Sequence, residues 1–170
     1  MQDAEFPTNL EPTGFDAVAG YIGGSAAHEW DNKDFWSLPH GVRRLPIWVG
    51  AVAGIARKSA LADAHATVAR LRELTIHPGR VVALDMETAI APLYVRTFGH
   101  IVRNAGYLVW VYGSLDFVGH NPRLDGYWVA DYDDQPTMPA LRGTVSKQFQ
   151  SGPRIDRSVI FKGRDYRHLW

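Results

Sequence analysis

Residues 82–88 read Val-Ala-Leu-Asp-Met-Glu-Thr, an apolar run that ends in two carboxylates, and this stretch decides the fold. Residues two apart in a strand point to the same side, so Asp85 and Glu87 share one face while Met86 points the other way. Near-continuous apolar runs are typical of parallel strands that are covered on both faces. We therefore predict a buried strand over residues 80–87 with both carboxylates at its carboxyl end, where parallel α/β barrels build their active sites.

Predicted strands and helices alternate on either side of this segment, which indicates an α/β fold with mostly parallel strands. The chain has 170 residues, whereas a complete eight-fold barrel usually needs about 250. We therefore predict a truncated, irregular (β/α) barrel. The other predicted strands are residues 16–24, 45–49, 107–112, 127–131, 144–150 and 158–161, and the predicted helices are 31–38, 59–74 and a third that begins at Pro92.

Residues 1–14 contain two prolines and several polar residues, and we predict that they form an irregular N-terminal arm. Residues 15–170 are predicted to form a single domain. The first residues lack the basic and apolar regions of a signal peptide, so synthesis in the cytoplasm is expected.

Composition excludes several kinds of partner and site. The 18 basic and 18 acidic residues cancel, and no basic run is present, so nucleic acid and membrane partners are not expected. The chain has no cysteine, and its seven histidines show no spacing typical of metal ligands. We therefore expect no metal site.

Two carboxylates at one strand end have two interpretations. In a partly dry site they repel each other, and one then holds its proton to higher pH, as a general acid must. Alternatively, both are solvated residues at a strand end, or they cap the next helix. Polar and aromatic residues near later strand ends favour the first interpretation, because they suit a sugar: Tyr112, Trp128 and Gln148.

The order of five short pieces resembles the glycoside hydrolase family 25 lysozymes. It is closest to the short glycoside-hydrolase-like domains of actinobacteria and their tailed phages. The pieces are Leu-Asp-Met-Glu-Thr (84–88), Val-Tyr-Gly-Ser (111–114), Tyr-Trp-Val-Ala-Asp-Tyr (127–132), Ser-Lys-Gln-Phe-Gln (146–150) and Gly-Pro-Arg-Ile-Asp (152–156).

This resemblance implies cleavage of the bond between N-acetylmuramic acid and N-acetylglucosamine in peptidoglycan, with no cofactor. By motif, Glu87 is the general acid. Asp85 is its partner, which either orients the acetamido group of the substrate or supports the attacking water, and Asp156 is a further acidic residue of the site. The same match assigns substrate contacts to Tyr112, Trp128, Asp131 and Gln148.

The start of the chain departs from the family pattern. Family 25 enzymes open with a Gly-x-Asp strand and a helix, but only about fourteen residues precede the strand at 16–24 here. Either Asp3 in a shortened first strand supplies the aspartate, or that strand is missing and the barrel has an open edge.

A missing first strand favours a second function. The domain would then be catalytically weak or inactive and would bind glycan. Alternatively, it would be a structural component of a phage virion that contacts other virion proteins through the N-terminal arm. Under either interpretation, the protein would act in the virion or after release at the cell wall. A nucleotide-binding protein is disfavoured because the chain has no phosphate-binding loop.

Overall fold

The computed structural model of the chain describes residues 1–11, 14–26, 28–50, 57–87, 90–161 and 165–170. Within these residues, eight strands form a closed barrel in sequential order. The strands are Gln2–Asp3 (β1), Ala17–Gly24 (β2), Arg43–Val49 (β3), Val81–Asp85 (β4), Leu108–Ser114 (β5), Gly126–Ala130 (β6), Thr144–Ser151 (β7) and Asp156–Ile160 (β8). The α-helices of the same residues are Asn32–Trp36 (α1), Arg57–Glu73 (α2), Pro92–Asn104 (α3) and Leu115–Val118 (α4).

Strands β1 to β7 run parallel, and β8 runs antiparallel to both of its neighbours, β7 and β1. Only α2 and α3, among the described helices, are longer than five residues. The predicted fold, a truncated, irregular (β/α) barrel with mostly parallel strands, is confirmed.

Helices α2 and α3 cover β4 and its neighbours because each has an apolar stripe at helical spacing. Helix α2 begins at Arg57, two residues before the predicted start, so Ser59 lies within its first turn. Helix α3 begins at Pro92, as predicted. Proline has no backbone N–H, and in the first turn of a helix that N–H would have no partner within the helix. The stripe residues that are buried are Ala60, Ala64, Val68 and Leu71 on α2, and Val95, Phe98 and Val102 on α3.

The core has two parts, because side chains alternate between the two faces of a barrel strand. The outer part fills the space between strands and helices, and it contains Val82, Leu84 and Met86. The inner part fills the barrel and contains Ala83, Trp110, Tyr112 and Trp128. Leu169 also belongs to the inner part, and its carbonyl accepts a hydrogen bond from Arg80, just before β4, so the last residues close the amino end of the barrel.

Strand β1 closes the barrel. Gln2 and Asp3 pair in parallel with Val18 and Ala19 of β2, and in antiparallel fashion with Arg157 and Asp156 of β8. The α-amino group of Met1 donates a 2.8 Å hydrogen bond to the carbonyl of Ser158. Asp3 therefore lies in a shortened first strand, and the alternative with an open edge is wrong.

The predicted boundary between arm and barrel does not hold for residues 2–3, because they form β1. The segment that follows β1 is also attached to the barrel. Glu11 accepts hydrogen bonds from the Gln2 side chain at 2.8 Å and from Arg157 at 2.6 Å. Within the described ranges, none of the helices is long and apolar enough to cross a bilayer.

Glycine is required where β2 ends. Gly24 has a φ of +84°, and a Cβ atom there would lie 1.9 Å from the carbonyl oxygen of Val49 on β3. Gly41 has a nearly identical φ of +86°, but nothing lies within 4 Å of a Cβ atom added to it. Comparing alanine substitutions at the two positions therefore separates the cost of the left-handed backbone from the cost of the steric collision.

We expect Gly24→Ala to lower the free energy of unfolding by about 1–3 kcal/mol more than Gly41→Ala, measured by urea denaturation. Both alanines adopt the left-handed conformation at similar cost, but only the one at position 24 collides with backbone. Equal losses for the two variants would show that the end of β2 moves freely away from β3.

Candidate active site

The carboxyl ends of the parallel strands form a mouth that gathers most of the predicted site residues. Asp85 ends β4, and its register partner Tyr112 lies near the end of β5. Gln148 lies on β7 and faces the barrel interior, as does its register partner Ala130. Asp156 opens β8, and because β8 is antiparallel, its first residue lies at the same rim.

Asp85 and Glu87 are adjacent at this mouth. Strand β4 ends at Asp85, whose carbonyl accepts a 2.9 Å hydrogen bond from Gly50, and the amide of Met86 donates to Tyr112 at 2.9 Å. The chain then turns, so that the amide of Glu87 donates a 3.1 Å hydrogen bond to Oδ1 of Asp85. The Asp85 side chain is half-buried and that of Glu87 is exposed. The predicted pair of carboxylates is thus brought together, with Glu87 facing solvent.

Two tyrosine hydroxyls hold the Glu87 carboxylate. Tyr112 donates to Oε1 of Glu87 at 3.0 Å, and Tyr132 donates to the same oxygen at 3.4 Å. The Tyr112 hydroxyl is also within hydrogen-bond reach of the side-chain oxygen of Gln148. Since a phenol has one proton, Tyr112 donates to only one of these acceptors at a time. Glu87 is therefore oriented through one oxygen, and the contacts above leave its other oxygen for a ligand.

Asp3 is the fourth carboxylate of the mouth. Its side chain is 3% exposed, and its Oδ1 has no hydrogen-bond partner among the described residues. Burial raises the pKa of Asp3 well above its usual range, and the charge of Asp156, its register partner, raises it further. Weaker contributions in the same direction come from Asp85 and Glu87. Asp3 therefore keeps its proton at pH values where ordinary carboxyl groups have lost theirs.

Asp85 is also electrostatically unusual. Burial is the main cause that raises its pKa, to about 7, and the negative charge of Glu87 adds to the effect. The hydrogen bond from the Glu87 amide opposes both effects. On β2, burial raises the pKa of the Tyr21 hydroxyl, as do the charges of the four carboxylates. The mouth is therefore a region where negative charge is poorly solvated and concentrated.

Trp128 lies beneath the mouth instead of lining it. Its side chain is fully buried, its ring centroid is 4.5 Å from that of Tyr112, and its Nε1 donates a 3.1 Å hydrogen bond to Oγ of Ser158. A ligand at the mouth reaches Tyr112 before it reaches Trp128. Trp128 therefore supports Tyr112 from beneath, and it does not make the sugar contact that the sequence analysis expected.

Asp131 is not brought to the mouth. Its carboxylate pairs with Nζ of Lys147 at 3.1 Å, on the outer side of β7. Trp128 and Ala130 face the barrel interior, and side chains alternate along a strand, so Asp131 points outward. That alternation is visible in the sequence, and it also places Tyr132 inward, a site residue that the sequence analysis did not single out.

Gln148 and Asp156 lie at the mouth. Gln148 is fully buried, and its Nε2 has no partner among the described residues, so this donor is available to a ligand. Asp156 is half-buried, and its Oδ1 accepts a 3.1 Å hydrogen bond from the amide of Gly152. In the part of the chain that the structure describes, no three His, Cys, Asp or Glu side chains are grouped so as to hold a metal ion.

By sequence, the chain matches no protein-family model and no curated protein. By structure, it is similar to an uncharacterized protein of B. stearothermophilus, with a TM-score of 0.78, 14% identity, and coverage of 99% of this chain and 98% of that one. It is also similar to GHIP, a glycosyl hydrolase 25 of Streptococcus pneumoniae, with a TM-score of 0.63, 12% identity, and coverage of 99% and 91%.

A third similar structure is the modular autolysin LytC of Streptococcus pneumoniae in complex with a synthetic peptidoglycan ligand. The TM-score is 0.58 at 14% identity, over 94% of this chain and 46% of LytC. At such low identity, these similarities establish the fold. The chain has the fold of family 25 lysozyme-like proteins, as the resemblance implied, and the narrower likeness to actinobacterial and phage domains stays a prediction.

The raised pKa of Asp85 makes stability depend on pH. In the unfolded chain this carboxyl ionises near 3.8, whereas in the folded protein it keeps its proton up to about pH 7. Between these values the folded state binds more protons, so the free energy of unfolding falls as pH rises, and the whole loss is present above pH 7. Asp85→Asn is uncharged at every pH and avoids this loss.

We therefore expect Asp85→Asn to raise the Tm by several degrees at pH 8 and by much less at pH 4. A change of 1 kcal/mol corresponds to about 2–4 °C in a domain of this size. Glu29→Gln, which changes an exposed carboxylate, is the control and should show no such trend. A gain from Asp85→Asn that is the same at both pH values would contradict the raised pKa.

Proposed function

We propose that this domain hydrolyses glycosidic bonds in peptidoglycan by carboxylate acid/base chemistry, with Glu87 as the general acid. The single observation that carries the proposal is the gathering of four carboxylates at one barrel mouth, with the exposed Glu87 held by two tyrosines. Support also comes from the fold, which is shared with a glycosyl hydrolase 25 and with an autolysin that binds a peptidoglycan ligand.

The chemistry needs a proton donor and a stabilised cation. In the proposed reaction, protonated Glu87 gives its proton to the oxygen of the glycosidic bond as that bond breaks, and the leaving sugar departs as an alcohol. Positive charge then develops at the anomeric carbon, and the Glu87 carboxylate left by the proton transfer, with the other ionised groups of the mouth, stabilises it. Water adds to this carbon and loses a proton to a carboxylate, which completes the hydrolysis.

Asp85 has two alternative roles in this scheme, and its protonation state decides which of them it can perform. Protonated Asp85 donates a hydrogen bond and is suited to orient the acetamido group of a substrate. Ionised Asp85 accepts a proton and is suited to support the attacking water. With a pKa of about 7, Asp85 is mostly protonated at acidic pH and mostly ionised at alkaline pH.

The second candidate, an inactive domain that binds glycan or forms part of a phage virion, depended on a missing first strand. Strand β1 supplies that strand together with Asp3, so this argument for an inactive domain no longer applies. A role in a virion, with contacts through the N-terminal segment, stays a prediction. The hydrolase is the function that the arrangement of residues supports best.

We expect Glu87→Gln to reduce the release of new reducing ends from peptidoglycan by about 100-fold or more, because the glutamine side chain has no acidic proton to transfer. The substitution keeps an oxygen that accepts from Tyr112, so the mouth should stay intact. The measurement is mass spectrometry of digests between pH 4 and pH 8. The control is Glu73→Gln, which changes an exposed carboxylate at the far end of α2.

No release by the wild-type protein, with folding verified, would refute the proposal for that substrate. Equal release by the wild type and Glu87→Gln would assign the acid to another residue. Loss in both Glu87→Gln and Glu73→Gln would show that the assay reports stability and not chemistry.

The pH profile of kcat/KM distinguishes the two roles of Asp85. If protonated Asp85 orients the substrate, kcat/KM falls as pH rises through about 7, and Asp85→Asn removes this fall while it keeps much of the activity. If ionised Asp85 supports the water, kcat/KM rises through the same pH, and Asp85→Asn is nearly inactive. A wild-type profile without a transition near pH 7 would exclude both roles.

A further inference from the structure

Lys147 is a buried cation just outside the mouth. It lies on β7, and its register partner Val129 packs in the outer part of the core, whereas the next residue, Gln148, faces the barrel interior. The side chain of Lys147 is 1% exposed. A lysine in such a position is stable only when its charge is paired and hydrogen-bonded.

The partners of Lys147 are two aspartates in the segment that follows β6. Its Nζ lies 3.1 Å from Oδ2 of Asp131 and donates a 2.7 Å hydrogen bond to Oδ1 of Asp133. Burial by itself would lower the pKa of Lys147, but the hydrogen bonds to Asp133 and Asp131 raise it, so the amine stays charged. The two carboxylates are 35% and 44% exposed, so water still solvates them.

Tyr132 lies between the two aspartates. Because Asp131 and Asp133 both reach Lys147 on the outer side of β7, the intervening side chain points to the opposite side, over the mouth. There the Tyr132 hydroxyl is 3.5 Å from that of Tyr112 and 3.4 Å from Oε1 of Glu87. The Tyr132 side chain is 52% exposed, so it forms part of the accessible edge of the mouth.

The segment 131–134, here the Tyr132 loop, has few other attachments. The amides of Asp131 and Asp134 donate 3.0 Å hydrogen bonds to the carbonyls of Gln148 and Phe149. Asp134 has a φ of +59°, a left-handed conformation that costs a non-glycine residue free energy. Interactions that hold the loop must offset this cost, and Lys147 supplies the only ion pairs described for it.

We propose that Lys147 is a positioning residue that clamps Asp131 and Asp133 and thereby holds Tyr132 against Glu87 at the mouth. The proposal rests on the proposed function in one respect: the held tyrosine then bounds the site where a sugar ring meets the general acid. Its geometric part, the dependence of the contact between Tyr132 and Glu87 on Lys147, holds independently of any hydrolysis.

The geometric part is tested by NMR of protein labelled at the tyrosine ¹³Cζ atoms, with the Tyr132 signal assigned from Tyr132→Phe. The response of this signal to Glu87→Gln reports the contact between the two side chains. We expect Glu87→Gln to shift the signal in the wild-type background and in Lys147→Arg, which keeps the charge. In Lys147→Met we expect that response to fall to less than half, because the loop is released.

Arg103→Met is the matched control, since it breaks the 3.4 Å ion pair between an exposed arginine and Asp125, away from the mouth. The response to Glu87→Gln should be unchanged in that background. If Lys147→Met does not fold, Asp133→Ala replaces it, because alanine has no acceptor for Lys147 and the pairing with Asp131 stays in place. A response that is undiminished in the folded Lys147 or Asp133 variant would overturn the proposal, as would the absence of any response in the wild type.

The catalytic part is tested by kinetics on peptidoglycan. We expect Lys147→Met to raise KM by about 2- to 10-fold, as for the loss of one aromatic contact, with kcat changed much less, and Lys147→Arg to restore KM. A fall in kcat with unchanged KM would overturn the positioning role at the substrate. If the wild type does not cleave the glycan, the proposed function fails, while the NMR result still decides whether Lys147 holds Tyr132.

Discussion

Strand β1 is only two residues long, yet its hydrogen bonds to β2 and β8 join the two ends of the sheet into a barrel. The same contact brings Asp3 next to Asp156 and completes the group of carboxylates at the mouth. Without it, β2 and β8 would present unpaired edges. The geometry of the candidate site therefore depends on the pairing that closes the fold.

The group of carboxylates is costly for the protein. Burial and mutual repulsion raise the pKa of both Asp3 and Asp85. The ionised forms of these groups are therefore less stable in the folded protein than in the unfolded chain. Such strain is common where function needs a concentrated charge, and it is offset elsewhere in the structure. Burial of apolar side chains in the two-part core, which fills both the barrel and the space beneath α2 and α3, favours folding and opposes this cost.

The sequence was sufficient for the elements with strong local patterns. The apolar run before Asp85 and the helix from Pro92 were predicted because burial on both faces and helical spacing leave clear signals. The sequence leaves strand β1 as one of two alternatives, since two residues carry no pattern and form a strand only between β2 and β8. Trp128 was assigned to the mouth because a motif gives residue order and not depth. The motif also assigned Asp131 to the site, although strand alternation directs it outward, where it pairs with Lys147, sixteen positions away.

The closing contact also bears on how the chain reaches its fold. The hydrogen bond from Met1 to Ser158 spans 157 positions in sequence, and the conformational entropy lost in joining such distant segments must be paid before the contact forms. Pairings of this kind slow folding, and we expect them to form after local units such as β4-α3-β5. The acidic residues at the two ends of the chain therefore meet the central pair late. The mutual repulsion that raises the pKa of Asp3 therefore arises only when the barrel closes.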